Sequence, residues 1–230
     1  QNSGADCGVY YRTMPFEGKG TDVTSDITQD TTWDLTDSPI RINPSSDYLT
    51  ISADLTIEPG TVIQVGAGKG ISFDGACDQM TIAGNSTDHV LFEGQSGAEW
   101  LGMAFTAACS TGTDDRHVFS YVDFKNTSDA AIAAGSRHGS NPSSNGNVGN
   151  FTMDHVTFTD VYTAFEHGSG QGTVVSMNEF EVSGADGSCF NFAENSVVSL
   201  TEGSMENCNT DGGAADGAIV NVAGSTTGSL

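Results

Sequence analysis

The segment from Leu55 to Gly75, LTIEPGTVIQVGAGKGISFDG, decides the predicted fold. Pro59-Gly60 and Gly66-Ala67-Gly68 interrupt it, and these residue types mark places where a chain turns. Between the turns, apolar and polar residues alternate at the period expected of half-buried strands. The alternating apolar positions are Leu55 and Ile57, then Val62 or Ile63 and Val65, then Ile71 and Phe73. The segment therefore predicts three short strands joined by two sharp corners.

Two families of segments repeat this pattern along the rest of the chain. The first comprises Gly70-Ile71-Ser72-Phe73, Gly102-Met103-Ala104-Phe105, Ala131-Ile132-Ala133-Ala134, Ala164-Phe165-Glu166-His167, Cys189-Phe190-Asn191-Phe192 and Ala218-Ile219-Val220-Asn221. The second carries a landmark at Phe92, Phe124, Phe158, Phe180 and Met205. The order of the segments is constant and only the corner lengths vary, which indicates a repeat architecture.

Short strands in a fixed order, each returning over its predecessor, predict a coil that climbs about 4.8 Å per turn. We therefore predict an all-β chain that folds as a parallel β-helix of about seven coils with an N-terminal cap. A β-sandwich or jelly roll is the competing fold, because it also uses many short alternating strands. Such a fold should contain frequent Asn-Gly hairpins, whereas the one such pair, Asn145-Gly146, lies inside a polar loop.

The predicted boundary between cap and coils falls at residue 30. Residues 1–30 show no clear period, and a solenoid needs a cap to cover its first open layer. Residues 31–230 form the predicted β-helix. We expect Trp33 to pack as part of the cap, and a Trp that stacks on a ligand is the alternative. No cap is visible in the polar segment from Gly224 to Leu230. We therefore expect further coils there, or self-association through the end coils by strand addition.

The segment ADLTIEPGTVIQV, together with GISFDG, HVLFEG and EWLGMAF, resembles the opening coils of secreted right-handed parallel β-helix proteins of the pectin-lyase-like fold. It looks especially like large repetitive surface proteins of marine microbes, which share the LTIEPGT signature. The resemblance runs roughly from Thr31 to Leu230 and implies a right-handed, secreted solenoid. It leaves the activity open, because this fold hosts lyases, hydrolases, adhesins and structural rods. The pectate-lyase pattern of basic residues beside a calcium site does not map onto this sequence residue by residue.

The charge of the chain restricts its partners. The 230 residues include 7 Lys and Arg against 30 Asp and Glu, which gives a formal net charge of −23. Such a surface repels phosphates, so the composition argues against nucleic-acid binding. No apolar run approaches the roughly 20 residues of a membrane-spanning helix. The chain begins at Gln1 without an apolar targeting stretch, which we interpret as a mature secreted protein.

Five cysteines favour an oxidising, extracellular compartment. Cys77 and Cys109 each lie four residues after a phenylalanine that we expect to stack on a neighbouring coil. Cys77–Cys109 is therefore the preferred predicted disulfide. Cys189–Cys208 is the second choice, because the two residues fall at different places in their repeats. Cys7 is left over and is either free or bridged to something outside this chain.

Two long corners, 106–116 and 135–149, follow the same predicted strand on neighbouring coils and should project together. Basic and imidazole side chains concentrate near them, which is unusual in so acidic a chain. The functional interpretation is sugar binding, or acid–base catalysis on a polysaccharide. The structural interpretation is that the arginines neutralise nearby carboxylates and the histidines lie at strand ends. The candidate ligand-binding residues are Asp115, Arg116, His117, Arg137, His138, Glu166 and His167.

No motif requires a cofactor. The histidines lack the HExxH or paired-cysteine spacing of a zinc site. Calcium is a candidate ligand because carboxylate oxygens are abundant, although no EF-hand or nonapeptide calcium repeat is present. The carboxylates that would serve it are Asp114-Asp115 and the series Asp22, Asp26, Asp30 and Asp34.

The sequence favours a non-enzymatic extracellular role, as a rod, adhesin segment or filament-forming subunit whose loops contact glycans. A polysaccharide-active enzyme, either a lyase or a glycoside hydrolase, is the first alternative, and a plain carbohydrate-binding module is the second.

Overall fold

The computed structural model describes residues 19–75, 78–106, 116–135, 149–167, 173–192, 196–208, 220–222 and 227–229. The strands within these residues are Thr21–Val23 (β1), Thr31–Trp33 (β2), Ile40–Ile42 (β3), Tyr48–Ile51 (β4), Leu55–Ile57 (β5), Val62–Val65 (β6), Gly70–Phe73 (β7), Met80–Ala83 (β8), Val90–Gly94 (β9), Met103–Phe105 (β10), Arg116–Ala134 (β11), Asn150–His167 (β12), Val174–Ala185 (β13), Phe190–Phe192 (β14), Val197–Thr201 (β15), Ser204–Cys208 (β16), Val220–Val222 (β17) and Thr227–Ser229 (β18). One short 3-10 turn, Gln95–Gly97, follows β9. No helix in the described part of the chain is long and apolar enough to cross a membrane.

The strands pair in three parallel ladders. Ladder A contains β1, β3, β6 and β9, the middle segments of β11 to β13, and β16. Ladder B contains β2, β5 and β8, the first segments of β11 to β13, then β15 and β18. Ladder C contains β4, β7 and β10, the last segments of β11 and β12, then β14 and β17.

From β2 onward the chain visits the ladders in the constant order B, A, C, and each long strand bends through more than one of them. This order makes the molecule an all-β, solenoid-like structure with a curled parallel sheet. Every strand pairing in the described residues is parallel, which contradicts the antiparallel sandwich alternative.

The core consists of inward side chains stacked along the ladders. In ladder A, the rings of Phe92, Phe124 and Phe158 stack on one another, with centroids 5.1 and 5.3 Å apart. All three rings are fully buried. In ladder B, the corresponding row begins at Trp33 and Ile57, both buried. Stacking of this kind buries large apolar area on every rung, which is the main stabilising contribution.

The predicted rows are correct over most of the chain and wrong at two positions. Phe158 pairs with Val182, so the fourth landmark of ladder A is Val182 and the predicted Phe180 is wrong by two residues. Phe190 pairs with Val220, so the last segment of the first family is wrong by one residue. The other segments of that family pair as predicted, as in Met103 with Ile132.

The first described residues already join the ladders. Strand β1 pairs with β3, and Ile27 forms a bridge to Ile51 in ladder C. Residues 1–18 lie outside the described residues, so the cap assigned to residues 1–30 stays a prediction.

A disulfide joins Cys189 and Cys208, whose Cα atoms are 5.4 Å apart. It forms because the end of ladder A and the start of ladder C meet at one corner. Cys208 pairs with Ala185, which precedes Cys189 on the neighbouring coil. The second-choice disulfide is therefore confirmed. Cys7, Cys77 and Cys109 lie outside the described residues, and Cys77–Cys109 stays a prediction.

Candidate functional site

The sequence-predicted site is only partly within the described residues. Asp115, Arg137 and His138 lie outside them. The backbone of Arg116 pairs with Asn150 at the start of ladder B, but its side chain is outside the described part of the chain. A ligand site built from these residues therefore stays a prediction.

His117 lies in the core and does not face solvent. Its ring is 3% exposed and packs among Phe73, Phe105 and Phe151, with centroid distances of 5.3, 4.5 and 5.0 Å. The backbone N–H of Met80 donates to its Nδ1 at 3.3 Å. An imidazole that accepts at Nδ1 carries its proton on Nε2. The placement identifies His117 as a core residue in the row that also contains Phe151.

His167 is also buried and pairs with Ala134 and Phe192 in ladder C. Its Nδ1 lies 2.7 Å from the hydroxyl oxygen of Ser196, which is itself buried. Burial satisfied by such a hydrogen bond is the expected state of a core histidine. His117 and His167 are therefore buried core residues and not exposed surface residues.

Among the predicted site residues that the structure describes, Glu166 lies on the face of ladder C opposite to the core residues Phe165 and His167. It continues an outward row of ladder C formed by Ser72, Ala104 and Ala133, all of which are buried. Glu166 itself is half-buried. This burial raises the pKa of its carboxyl, and the charge of Asp129 raises it further. A carboxyl that holds its proton more tightly than usual is a candidate proton donor.

A second cluster, which the sequence did not predict, lies at the corner between ladders B and A. Tyr121, His155, Glu179 and Glu202 occupy equivalent places on successive coils, because the residues on either side of them pair in register. Each has a positive φ, between 49° and 54°. Non-glycine residues adopt this left-handed conformation rarely. We call these four residues the corner column.

Aromatic and imidazole rings stack along the corner column. The Tyr121 and His155 rings have centroids 4.2 Å apart and planes 22° apart. The ring of His89 lies on the previous coil, 5.4 Å from Tyr121. His89 Nδ1 is also 3.3 Å from a carboxylate oxygen of Asp123. The plane of the His89 ring is tilted by 59° to that of Tyr121, so the three rings form a row of contacts across three coils in which only Tyr121 and His155 are stacked.

His155 links two carboxylates. Its Nδ1 lies 2.9 Å from Asp154 Oδ2, and its Nε2 lies 2.5 Å from Glu179 Oε2. A neutral imidazole has a single N–H, so both contacts are hydrogen bonds only if the ring is doubly protonated or one carboxyl carries a proton. The Asn178 side chain donates to Asp154 Oδ1 at 2.9 Å. This bond, with the smaller contribution of His155, lowers the pKa of Asp154.

An open groove of about 550 Å³ runs beside the corner column. We call it the corner groove. Its sides carry the imidazoles of His89 and His155 and the carboxylates of Glu179, Glu181 and Glu202. The buried Phe180 ring and the neighbouring Gly203 also line it. The groove thus combines flat rings, hydrogen-bond acceptors and negative charge on a rigid ladder.

The residues that the structure describes contain no group of three or more His, Cys, Asp or Glu placed to hold a metal ion. Within the predicted aspartate series, Asp26 and Asp30 accept backbone hydrogen bonds from Thr50 and Asp54. Asp34 accepts from the side chain and backbone of Thr36, and these bonds lower its pKa. Binding of calcium stays a prediction.

The corner column corresponds to one signal in the sequence. Two successive outward residues, such as Asp154-His155 or Asn178-Glu179, precede an inward Val or Phe and break the strict alternation.

No protein-family model, no curated protein and no solved structure matches this chain. The site is therefore interpreted from its own geometry.

Proposed function

We propose that the chain is an extracellular structural or adhesive domain that binds glycans in the corner groove. We further propose that the three ladders form one continuous right-handed parallel β-helix of about seven coils, in the manner of the pectin-lyase-like fold, with residues 1–30 as its cap. The Cys189–Cys208 disulfide is compatible with an extracellular location.

The observation that carries the proposal is the row of ring contacts formed by His89, Tyr121 and His155 beside an open groove lined by carboxylates. Sugar rings present flat apolar faces edged by hydroxyl groups. Flat side chains pack against such faces, while carboxylate oxygens accept hydrogen bonds from the hydroxyls. Because the groove follows successive rungs, an extended polysaccharide would contact several coils together.

Binding to a polysaccharide panel tests this function. The panel contains neutral, amine-bearing and anionic chains, and affinity is measured by calorimetry with the full chain. Ser204 is exposed and lines the groove, so Ser204→Trp should block it and remove binding. Ser176 is exposed on ladder B away from the groove lining, so Ser176→Trp should bind normally. Equal binding by both variants would place the glycan elsewhere.

A polysaccharide-active enzyme is the second candidate, and the outward carboxyl of Glu166 favours it. Its raised pKa and the nearby charge of Asp129 are the environment of a general acid in glycoside cleavage. Turnover is measured as new reducing ends or unsaturated products from the same panel. Glu166→Gln should abolish turnover, whereas Glu99→Gln, an exposed glutamate, should retain it. Polysaccharides that bind but are never cleaved would remove this candidate.

Self-association through the end coils is a separate part of the proposal. Parallel ladders extend by adding strands at their open edges, which gives a physical route to filaments. Negative-stain electron microscopy of the full chain in high salt, with and without calcium, tests it. Regular filaments or end-to-end stacks are the expected result, and dispersed short rods would contradict it.

A further inference from the structure

Three segments of the chain carry the sequence Asn-X-Ser/Thr, in which X is not proline: Asn85-Ser86-Thr87, Asn126-Thr127-Ser128 and Asn150-Phe151-Thr152. This sequence is the acceptor of N-linked glycosylation in secreted proteins. The side-chain nitrogen of the asparagine takes the sugar, and the transferase recognises the hydroxyl group two residues later. The sequence alone does not distinguish the three segments, but the fold gives them different environments.

The segment at Asn150 is built into ladder B. Asn150 and Phe151 pair on one side with β11 and on the other with β13, and Phe151 is buried in the core. The side-chain oxygen of Asn150 is buried and has no hydrogen-bond partner among the described residues. A sugar on the nitrogen of the same amide group would lie beside this enclosed oxygen. Presenting the segment to a transferase would require β12 to separate from both neighbouring strands.

The segment at Asn126 is bonded to the previous coil. The N–H of Trp100 donates to the backbone carbonyl of Asn126 at 3.1 Å, and the N–H of Ser128 donates to the carbonyl of Trp100 at 2.9 Å. The Ser128 hydroxyl, which a transferase would have to recognise, donates to the same carbonyl at 3.3 Å. Thr127 between them is buried. An enzyme reaches this segment only if hydrogen bonds between coils break.

The segment at Asn85 lies on the corner between β8 and β9. Ser86 and Thr87 are exposed, and Asn85 is half-buried. Within the described part of the chain, the hydrogen bonds of residues 85–87 stay inside the corner and join Asn85, Thr87 and Asp88 to one another. Opening residues 85–87 therefore leaves the ladders paired. Local opening of this kind costs the least free energy in a folded protein.

The same hydrogen bonds fix the orientation of the Asn85 amide group. Its Oδ1 accepts from the backbone N–H groups of Thr87 and Asp88, at 2.9 and 3.0 Å. Backbone N–H groups can only donate, so the atom that faces them is the oxygen and not the nitrogen. Nδ2 donates to none of the residues that the structure describes. It can therefore react without the loss of a side-chain hydrogen bond.

We infer that Asn85 is the N-glycosylation acceptor of the folded chain, and that Asn126 and Asn150 are not acceptors in it. The donor is an oligosaccharide joined through a diphosphate to a lipid. A bond forms between Asn85 Nδ2 and the anomeric carbon of the first sugar, while the bond from that carbon to the diphosphate oxygen breaks. The lipid diphosphate leaves with the electron pair, and the amide nitrogen loses one proton to the transferase. The inference rests on the extracellular location proposed above, because N-linked transfer acts on exported chains.

Glycosylation of the folded full chain by a purified oligosaccharyltransferase tests the inference. The enzyme is a single-subunit form that requires nothing beyond Asn-X-Ser/Thr, and the donor is a synthetic lipid-linked oligosaccharide. Peptide mapping by mass spectrometry gives the occupancy of each site, normalised by the rate at which a short peptide of the same segment is modified. The normalised occupancy at Asn85 should exceed that at Asn126 and Asn150 by at least about tenfold, because those segments must first break hydrogen bonds between coils.

Two variants of the corner form a matched pair. Thr87→Ala removes the hydroxyl that the transferase recognises and should abolish modification of Asn85. Ser86→Ala changes the exposed residue between them, keeps the acceptor sequence and should be modified as wild type.

Three outcomes would overturn the inference: an unmodified Asn85, normalised occupancy at Asn126 or Asn150 equal to that at Asn85, or full modification of Thr87→Ala. None of them affects the proposed glycan binding, which calorimetry measures on the unmodified chain. Loss of that binding would in turn leave the assignment of Asn85 in place, so the two proposals fail separately.

Discussion

The imidazole of His155 stacks on the phenol ring of Tyr121, with ring centroids 4.2 Å apart, at a corner where both residues adopt a left-handed backbone. The two residues lie on neighbouring coils, so the stack joins one coil to the next. This contact has a backbone cost, because a side chain with a Cβ is strained in the left-handed region. The ring contact and the two carboxylate contacts of His155 offset that cost.

Substitutions of His155 should therefore separate backbone strain from side-chain contacts. His155→Asn and His155→Val both remove the ring, but Asn tolerates positive φ and a β-branched residue does not. We expect His155→Val to be less stable than His155→Asn by about 1–2 kcal/mol. Chemical denaturation measures the difference. Equal stability of the two variants would show that the left-handed backbone carries no penalty here.

Glu166 should make the stability of the fold depend on pH. Because the folded-state pKa is raised above the ordinary value, the folded protein binds the proton more tightly than the unfolded chain. This group therefore lowers stability as pH rises from the unfolded pKa through the folded pKa. Glu166→Gln should be more stable than wild type at neutral pH and should lose that advantage below the unfolded pKa.

Thermal unfolding at a series of pH values checks this prediction. Asp34→Asn is a useful contrast, because the hydrogen bonds from Thr36 lower the pKa of Asp34. Its variant should lose stability at neutral pH and approach wild type as pH falls through the folded pKa of Asp34. A pH profile for Glu166→Gln parallel to that of wild type would contradict the burial argument.

The Cys189–Cys208 disulfide should stabilise the last described coils. It closes a loop with a sequence separation of 19, for which the loss of unfolded-state entropy is worth about 3 kcal/mol. We expect the double variant Cys189→Ala/Cys208→Ala to unfold at lower temperature than wild type. Reductant should destabilise wild type more than the double variant. Peptide mapping under non-reducing conditions identifies this bond and also tests the predicted Cys77–Cys109 pair.

Gly203 should not tolerate even a methyl group. A Cβ at this position would overlap the Phe180 ring, which is buried and packs edge-on against Phe190. Gly203→Ala must displace that ring, and overpacking of this kind costs about 1–3 kcal/mol. At Gly68 a Cβ would meet nothing within 4 Å, although φ is +62°. Gly68→Ala therefore reports the backbone effect without a clash and should be the milder variant. Chemical denaturation measures both losses, and a Gly203→Ala variant as stable as wild type would contradict the clash at Gly203.

The parallel ladders could be predicted from the sequence because the same side chains recur on successive coils. Phe92, Phe124 and Phe158 pair as expected, since each is an aromatic landmark at the same place in its repeat. The fourth landmark is predicted at Phe180, whereas the structure places Val182 in that row. The two-residue error has a physical reason. A shift of two keeps every side chain on the same face of a strand, so alternation alone cannot detect it.

The candidate site was harder to predict because burial depends on the row and not only on the residue type. His117 and His167 are polar by composition, yet their rows contain Phe151 and Phe192. The corner column depends on positive φ at Tyr121 and His155, and these residue types do not by themselves predict that conformation. The equivalence of these corner positions on successive coils follows from the pairing of the flanking strands, which the sequence pattern alone does not give.

The constant strand order, with corners of varying length, also has an evolutionary consequence. Each coil contacts only its immediate neighbours, so stability is close to a sum of coil and interface contributions. A gene for such a chain can lengthen by duplicating the segment that encodes one coil, and the remaining rungs keep their partners. The length of the ring stack and of the groove beside it is then a heritable trait that can vary in steps of a single coil.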